Sequence, residues 1–225
     1  GSSNVALGAG ALAKNITASN NTAVGYQAGY SNTTGTRNSA FGKAALYLNT
    51  TGGNNTTVGI DSLGNNSTGA NNSALGDSAL NNNTTGSSNT ALGYQALVLN
   101  TTASNNTAVG YQSLYANTGV GERNTAVGSL ALYSNTSGQS NVAIGYQPLY
   151  SNTTGSNNVA IGSDSSATNG ALESNTTGSS NVAVGSSALQ ANTTASNNTA
   201  VGYQAGDAIT TGGWNTLIGQ GAGSA

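Results

Sequence analysis

Asn4-Val5-Ala6-Leu7-Gly8 opens a series of thirteen related pentapeptides, and their spacing decides the fold. The copies start at Asn4, Asn21, Asn38, Asn55, Asn72, Asn89, Asn106, Asn124, Asn141, Asn158, Asn181, Asn198 and Asn215. Ten of the twelve steps are equal to the step from Asn4 to Asn21; Asn106 to Asn124 is longer by one position and Asn158 to Asn181 by six. A fixed period of this size means stacked equivalent turns, so the chain reads as a solenoid without a single closed core. The expected fold is all-β, a parallel β-solenoid of about thirteen coils forming one repeat domain over 1–225, with an insertion loop at 163–174. Such an object builds repeated surface columns, and supports, spaces or adheres more readily than it catalyses.

Each repeat is numbered here from its Asn as position zero. Position zero is Asn in all thirteen copies, and an asparagine ladder is expected at Asn21, Asn38, Asn55, Asn72, Asn89, Asn106, Asn124, Asn141, Asn158, Asn181 and Asn198. Position two is Ala in eleven copies, with Thr57 and Leu217 departing. Position three is always apolar: Leu7, Val24, Phe41, Val58, Leu75, Leu92, Val109, Val127, Ile144, Ile161, Val184, Val201 and Ile218. These large side chains are expected to form an aliphatic spine along the interior. Position four is always Gly: Gly8, Gly25, Gly42, Gly59, Gly76, Gly93, Gly110, Gly128, Gly145, Gly162, Gly185, Gly202 and Gly219. An invariant Gly marks a positive φ or a close backbone approach. The block therefore reads as a short strand bounded by turns. The Tyr-Gln-Ala-Leu-Tyr segment reads as a second strand or a tight bend, and Asn-Thr-Thr-Gly as the return turn. At roughly 4.8 Å per coil, thirteen coils would span on the order of 60 Å.

Composition narrows the function classes. Only 36% of residues are hydrophobic, and Asn, Thr, Ser and Gly dominate, which alone would suit disorder; invariant Gly and aliphatic columns do not. Four basic and six acidic residues leave no basic stripe for nucleic acid. No run of 18 apolar residues is present, so no membrane insertion is expected. With no Cys, His or Met, disulfides and soft-metal sites are excluded, and no cofactor is expected. The uncharged polar surface suits an extracellular location, on a cell or virion surface. The chain does not begin with Met and shows no polar capping repeat, so it reads as a segment of something longer that continues or stacks end to end.

All ten Tyr fall in two columns: Tyr26, Tyr94, Tyr111, Tyr146 and Tyr203 at position five, and Tyr30, Tyr47, Tyr115, Tyr133 and Tyr150 at position nine. Rings so arranged stack on one another or pack between chains; the functional alternative is a ladder of sugar platforms. A thin coil buries little apolar area, at ~25 cal/mol per Å², against ~1–2 kcal/mol per residue ordered. This shortage points to folding with copies of the same chain, three around an axis being one solution and a two-chain or filament form others.

Asn-Thr-Ala-Val-Gly and Asn-Val-Ala-Ile-Gly resemble the head repeat of trimeric autotransporter adhesins, the YadA-like head, whose consensus is close to Asn-Ser-Val-Ala-Ile-Gly. The longer unit Asn-Thr-Ala-Val-Gly-Tyr-Gln-Ala-Leu-Tyr-Ser-Asn-Thr-Thr-Gly is also similar to repeats of phage and bacterial tail-fibre proteins. The resemblance covers essentially the whole chain and implies a left-handed parallel β-roll, a homotrimer, an extracellular location and a role in attachment to a host-surface glycan or protein receptor. The family repeat is a few residues shorter, and the extra residues are expected in the Asn-Thr-Thr-Gly turn.

Irregular places are the candidates for individual function. The repeat at Asn158 has six extra residues and includes Asp164 and Glu173, a possible receptor contact or weak Ca²⁺ site, or else a tolerated surface insertion. The repeat that is longer by one carries Val120-Gly121-Glu122-Arg123, and Trp214 precedes the last motif. Asn32-Thr33-Thr34, Asn49-Thr50-Thr51, Asn152-Thr153-Thr154 and Asn192-Thr193-Thr194 are glycosylation sequons expected on exposed turns. Asp61, Asp77, Glu122, Asp164, Glu173 and Asp207 are scattered over different turns. Asp61 and Asp77, one position short of a full repeat apart, are the nearest approach to a glycosidase-type pair, and no enzyme is expected. An ice-binding solenoid would need an outward Thr ladder, and the Thr-Thr pairs, such as Thr33-Thr34 and Thr84-Thr85, fall in the expected turn.

Overall fold

A computed structural model describes residues 1–163 and 170–223. The described residues form thirteen three-residue strands and no helix. The chain clusters into two units, Gly1–Asn106 and Thr107–Ala225. The first holds β1 (Val5–Leu7), β2 (Thr22–Val24), β3 (Ser39–Phe41), β4 (Thr56–Val58), β5 (Ser73–Leu75) and β6 (Thr90–Leu92). The second holds β7 (Thr107–Val109), β8 (Thr125–Val127), β9 (Val142–Ile144), β10 (Val159–Ile161), β11 (Val182–Val184), β12 (Thr199–Val201) and β13 (Thr216–Ile218). Within each unit consecutive strands pair in parallel with equivalent residues facing, as Ala6 with Ala23 in β1 and β2 or Ala160 with Ala183 in β10 and β11. Both units are therefore parallel β-solenoids, with turns repeating every 17 residues, as from Asn21 to Asn38 in the first and from Asn124 to Asn141 in the second.

Each coil has one strand. The Tyr-Gln-Ala-Leu-Tyr segment is a turn, because its backbone alternates hand: Gln112 and Leu114 sit at φ of 49° and 50°. Alternation still points the amides along the stack. Leu46 N–H donates to Ser62 O at 3.0 Å and Leu48 N–H to Gly64 O at 2.8 Å, so backbone bonding runs from coil to coil beyond the strands. A left-handed conformation costs an L-residue roughly 1–2 kcal/mol, yet Leu occupies it in most coils because it aims the side chain inward.

The position-four glycine is required by close approach. Gly76 has φ of 133°, and a Cβ there would lie 2.5 Å from the carbonyl oxygen of Gly93 in the next coil. It also ends the strand, since this φ turns the chain out of the sheet.

The interior corrects the expected spine. Leu7, Phe41, Val58, Leu75, Leu92, Ile144, Val201 and Ile218 are exposed, and Val24, Val109, Val127, Ile161 and Val184 are half-buried; none is in the core. The core holds Ala of position two, a small residue at position seven and Leu of position eight, with Leu46, Leu63, Leu80, Leu97, Leu114, Leu132, Leu149 and Leu189 fully enclosed. Side chains alternate along a strand, so positions one and three share the outer face when position two points in. The interior is narrow, and the strand's inward side accepts a methyl.

Two columns of buried asparagine close most coils. Asn21 and Asn32 both donate Nδ2–H to Gly35 O at 2.9 Å, clipping the strand side to the return turn. Asn124 and Asn135 do the same to Gly138 O, at 2.9 and 3.0 Å. The oxygens point along the stack: Asn21 Oδ1 accepts the Asn38 backbone N–H at 2.8 Å, and Asn32 Oδ1 accepts Asn49 Nδ2–H at 2.7 Å. Inside the stack a buried amide is thus satisfied laterally within its coil and axially by the next; where the next coil carries Ile209 in this column, Asn192 Oδ1 is left unbonded. The first column is the ladder at position zero; the second, at position eleven, was concealed in the return-turn motif.

Candidate functional site

The outward strand face is the most regular surface. Position one supplies Val5, Thr22, Ser39, Thr56, Ser73 and Thr90 in the first unit, beside the position-three column from Leu7 to Leu92. In the second, Thr107, Thr125, Val142, Val159, Val182, Thr199 and Thr216 run beside Val109 to Ile218. No residue of either column is charged. Phe41 is 39% exposed, Val58 42% and Leu92 45%. Large aliphatic groups repeating coil after coil on water are a patch that expects a partner.

Aromatic columns flank the core differently. At position nine, Tyr30 stacks on Tyr47 at 5.3 Å between centroids, and Tyr133 lies between Tyr115 at 4.9 Å and Tyr150 at 5.1 Å. Lys14 Nζ lies 5.1 Å from the Tyr30 ring centre, a cation–π contact. Burial first, and then repulsion from the Tyr115, Tyr150 and Tyr111 phenols, holds the Tyr133 hydroxyl above its ordinary 10.0. Both faces of Tyr133 are covered by its neighbours, so this ring presents its edge. At position five, Tyr26, Tyr94, Tyr111 and Tyr203 are exposed and Tyr146 is half-buried.

Asp164 lies outside the described residues. Glu173, on the following stretch, is half-buried and accepts hydrogen bonds from Gly170 N–H at 3.2 Å and Gln190 Nε2–H at 3.4 Å. Desolvation dominates over these two bonds and raises its carboxyl above the ordinary 4.5. Asp77 accepts a bond from Ser78 Oγ at 2.7 Å. Arg123 pairs with adjacent Glu122 at 3.5 Å on the surface. Among the described residues, no three His, Cys, Asp or Glu gather into a metal-binding group. Trp214 is 83% exposed and holds a left-handed backbone at φ of 65°.

The sequons expected on exposed turns are corrected by burial. Asn32, Asn49, Asn152 and Asn192 are position-eleven residues, at most 1% exposed, with their amides committed to the clip. The position-thirteen threonines, such as Thr34, Thr51 and Thr85, are exposed on that turn. Their position-twelve neighbours bond along the stack, as Thr50 Oγ1 does to Ser67 O at 2.9 Å.

No helix among the described residues is long and apolar enough to cross a membrane. No protein-family model, curated protein or solved structure matches this chain.

Proposed function

We propose that this chain is a non-catalytic structural and adhesive segment of an extracellular surface fibre, assembled as a homotrimer through its strand face. The observation that carries the reading is the outward aliphatic column at position three, continuous through β1 to β6 and again through β7 to β13. Another copy of the same chain fits it best. The face repeats with the coil period, lacks charge, and so matches a surface of equal pitch, which a copy in register supplies. Covering it would add the apolar burial that the Ala-lined interior lacks. The position-five tyrosines Tyr26, Tyr94, Tyr111 and Tyr203 then supply amphipathic contacts outside the assembly face for a glycan or protein receptor.

Light scattering on the folded protein tests the assembly. The expected mass is about three times 21.9 kDa, and Ile144→Asp is expected to reduce it to a β-rich monomer. A wild-type chain that remains a stable monomer rejects the homotrimer, and glycan-array and cell-binding assays without signal reject the adhesive part.

A further inference from the structure

We propose that the exposed asparagines at position sixteen, Asn20, Asn54, Asn71, Asn105 and Asn197, are acceptors for N-linked sugar, and that the fold withholds the more numerous sequons of position eleven. Asn20-Asn21-Thr22, Asn54-Asn55-Thr56, Asn71-Asn72-Ser73, Asn105-Asn106-Thr107 and Asn197-Asn198-Thr199 each satisfy the Asn-X-Thr/Ser rule. The first Asn of each is exposed, just before the position-zero Asn that leads into the strand. The same residue is left-handed, with φ of 62°, 58°, 59°, 63° and 63° in the five cases. That conformation directs the side chain away from the coil, while the next residue, the position-zero Asn, turns inward to the clip. The hydroxyl of each sequon lies at position one, on the outer strand face, so amide and hydroxyl are presented on the surface together.

The inner sequons fail on two counts. Asn49 is fully buried, and its Nδ2 donates to Asn32 Oδ1 at 2.7 Å and to Gly52 O at 2.9 Å. Glycosyl transfer needs that nitrogen to attack the anomeric carbon of a sugar nucleotide. The C–N bond forms as the anomeric C–O bond breaks, its electron pair leaves on the nucleoside diphosphate, and the proton given up by the amide passes to a base of the transferase or to that diphosphate. A nitrogen that closes a coil cannot make the attack without opening it. Asn65, in the half-buried position ten, gives its Nδ2–H groups to Asn82 Oδ1 at 3.1 Å and Asn81 Oδ1 at 3.2 Å and is withheld too. Asn54 and Asn71 occupy neighbouring coils, roughly 4.8 Å apart, so one sugar there crowds out the second.

The test offers the folded protein to a soluble asparagine N-glycosyltransferase with UDP-glucose, followed by site mapping by mass spectrometry. The expected result, read on the Ile144→Asp chain whose strand face is uncovered, is hexose on Asn20, on Asn54 or Asn71, on Asn105 and on Asn197, and none on Asn32 or Asn49. Thr56→Ala, which removes the outer sequon but leaves the Asn54 amide, is expected to abolish hexose at Asn54 and raise it at Asn71. Thr34→Ala, which removes the Asn32 sequon at an exposed residue, changes nothing. The Ile144→Asp variant is run beside the wild type, so that shielding by assembly is read separately from acceptor choice. The proposal is overturned if both folded proteins stay unmodified while the urea-unfolded chain accepts sugar. It is equally overturned if Asn32 or Asn49 is modified in the folded chain, or if folded and unfolded chains alike accept nothing.

Discussion

A buried asparagine must place two N–H groups and an oxygen, and Asn89 shows how narrowly this is done. Its Nδ2 donates to Ala103 O at 2.9 Å, and its Oδ1 accepts the Asn106 N–H at 3.0 Å. Asn89→Ala orphans an N–H and half of a shared carbonyl, a loss of roughly 1–3 kcal/mol per abandoned group, visible as a lower thermal midpoint. Asn89→Asp is expected to be worse at neutral pH, because a carboxylate would replace the donor against the Ala103 carbonyl in an enclosed site. Its folded pKa would be raised, so the variant should regain stability as pH falls. Gly76→Ala should fail to fold, since its Cβ meets the Gly93 oxygen at 2.5 Å; a stable variant contradicts the close approach. Glu173 contributes a pH dependence of its own. Its folded pKa is raised above the ordinary 4.5, so its contribution is whole below 4.5 and fades as pH rises through the raised value. The melting temperature of wild type should fall across that window relative to Glu173→Gln, and parallel curves would refute the assignment. At this scale the position-zero asparagine was legible because it never varies. Its partner at position eleven was hidden, since Asn-Thr-Thr-Gly has the composition of an ordinary turn.

A three-residue strand has one inward and two outward side chains, or the reverse, and composition alone favours the wrong choice. In β6 the Thr90-Ala91-Leu92 sequence invites Leu92 inside, yet Ala91 is buried and Leu92 is 45% exposed. What decides is the room available: the inward side of the strand takes only a small side chain, Ala in most coils and Thr57 in β4. The large core residue is Leu97, five positions later, delivered by a left-handed turn at φ of 53° that hydrophobic pattern does not encode. The two leucines are therefore expected to respond differently. Leu97→Ala should cost roughly 2–5 kcal/mol, as for an enclosed leucine, at every protein concentration. Leu92→Ala should leave the coil's own stability within about 0.5 kcal/mol and instead make the melting midpoint depend more steeply on concentration. Equal, concentration-independent losses in denaturant titrations would argue against an assembling strand face. The period, the strand positions and the glycine column were readable from spacing alone; the direction of each strand's faces was not.

For the molecule as a whole, stability should be close to a sum over coils and the contacts between them. Removing residues 72–88, one full period within the first unit, rejoins Thr56–Val58 to Thr90–Leu92 in the same register. The shortened chain is expected to keep a β-type circular dichroism spectrum with a modestly lower midpoint. Removing residues 72–79 shifts the asparagines off their carbonyls and should abolish folding. If both deletions behave alike, coil-to-coil matching is not what holds the structure.

The asparagine clip carries one more implication. Asn141 bonds Asn124 across 17 residues and Asn181 bonds Asn158 across 23, through the same atoms. Nothing in that chemistry tells one rung from the next, so a chain that skipped a coil would meet an identical set of donors and acceptors. Misthreading by a whole period is thus the natural error of this architecture. The two repeats of odd length, which carry Asn117 to Asn135 and Asn158 to Asn181, are where a skipped rung would leave slack of the wrong length. They act as phase marks, and a version trimmed to a uniform period should refold into a mixture of slipped forms.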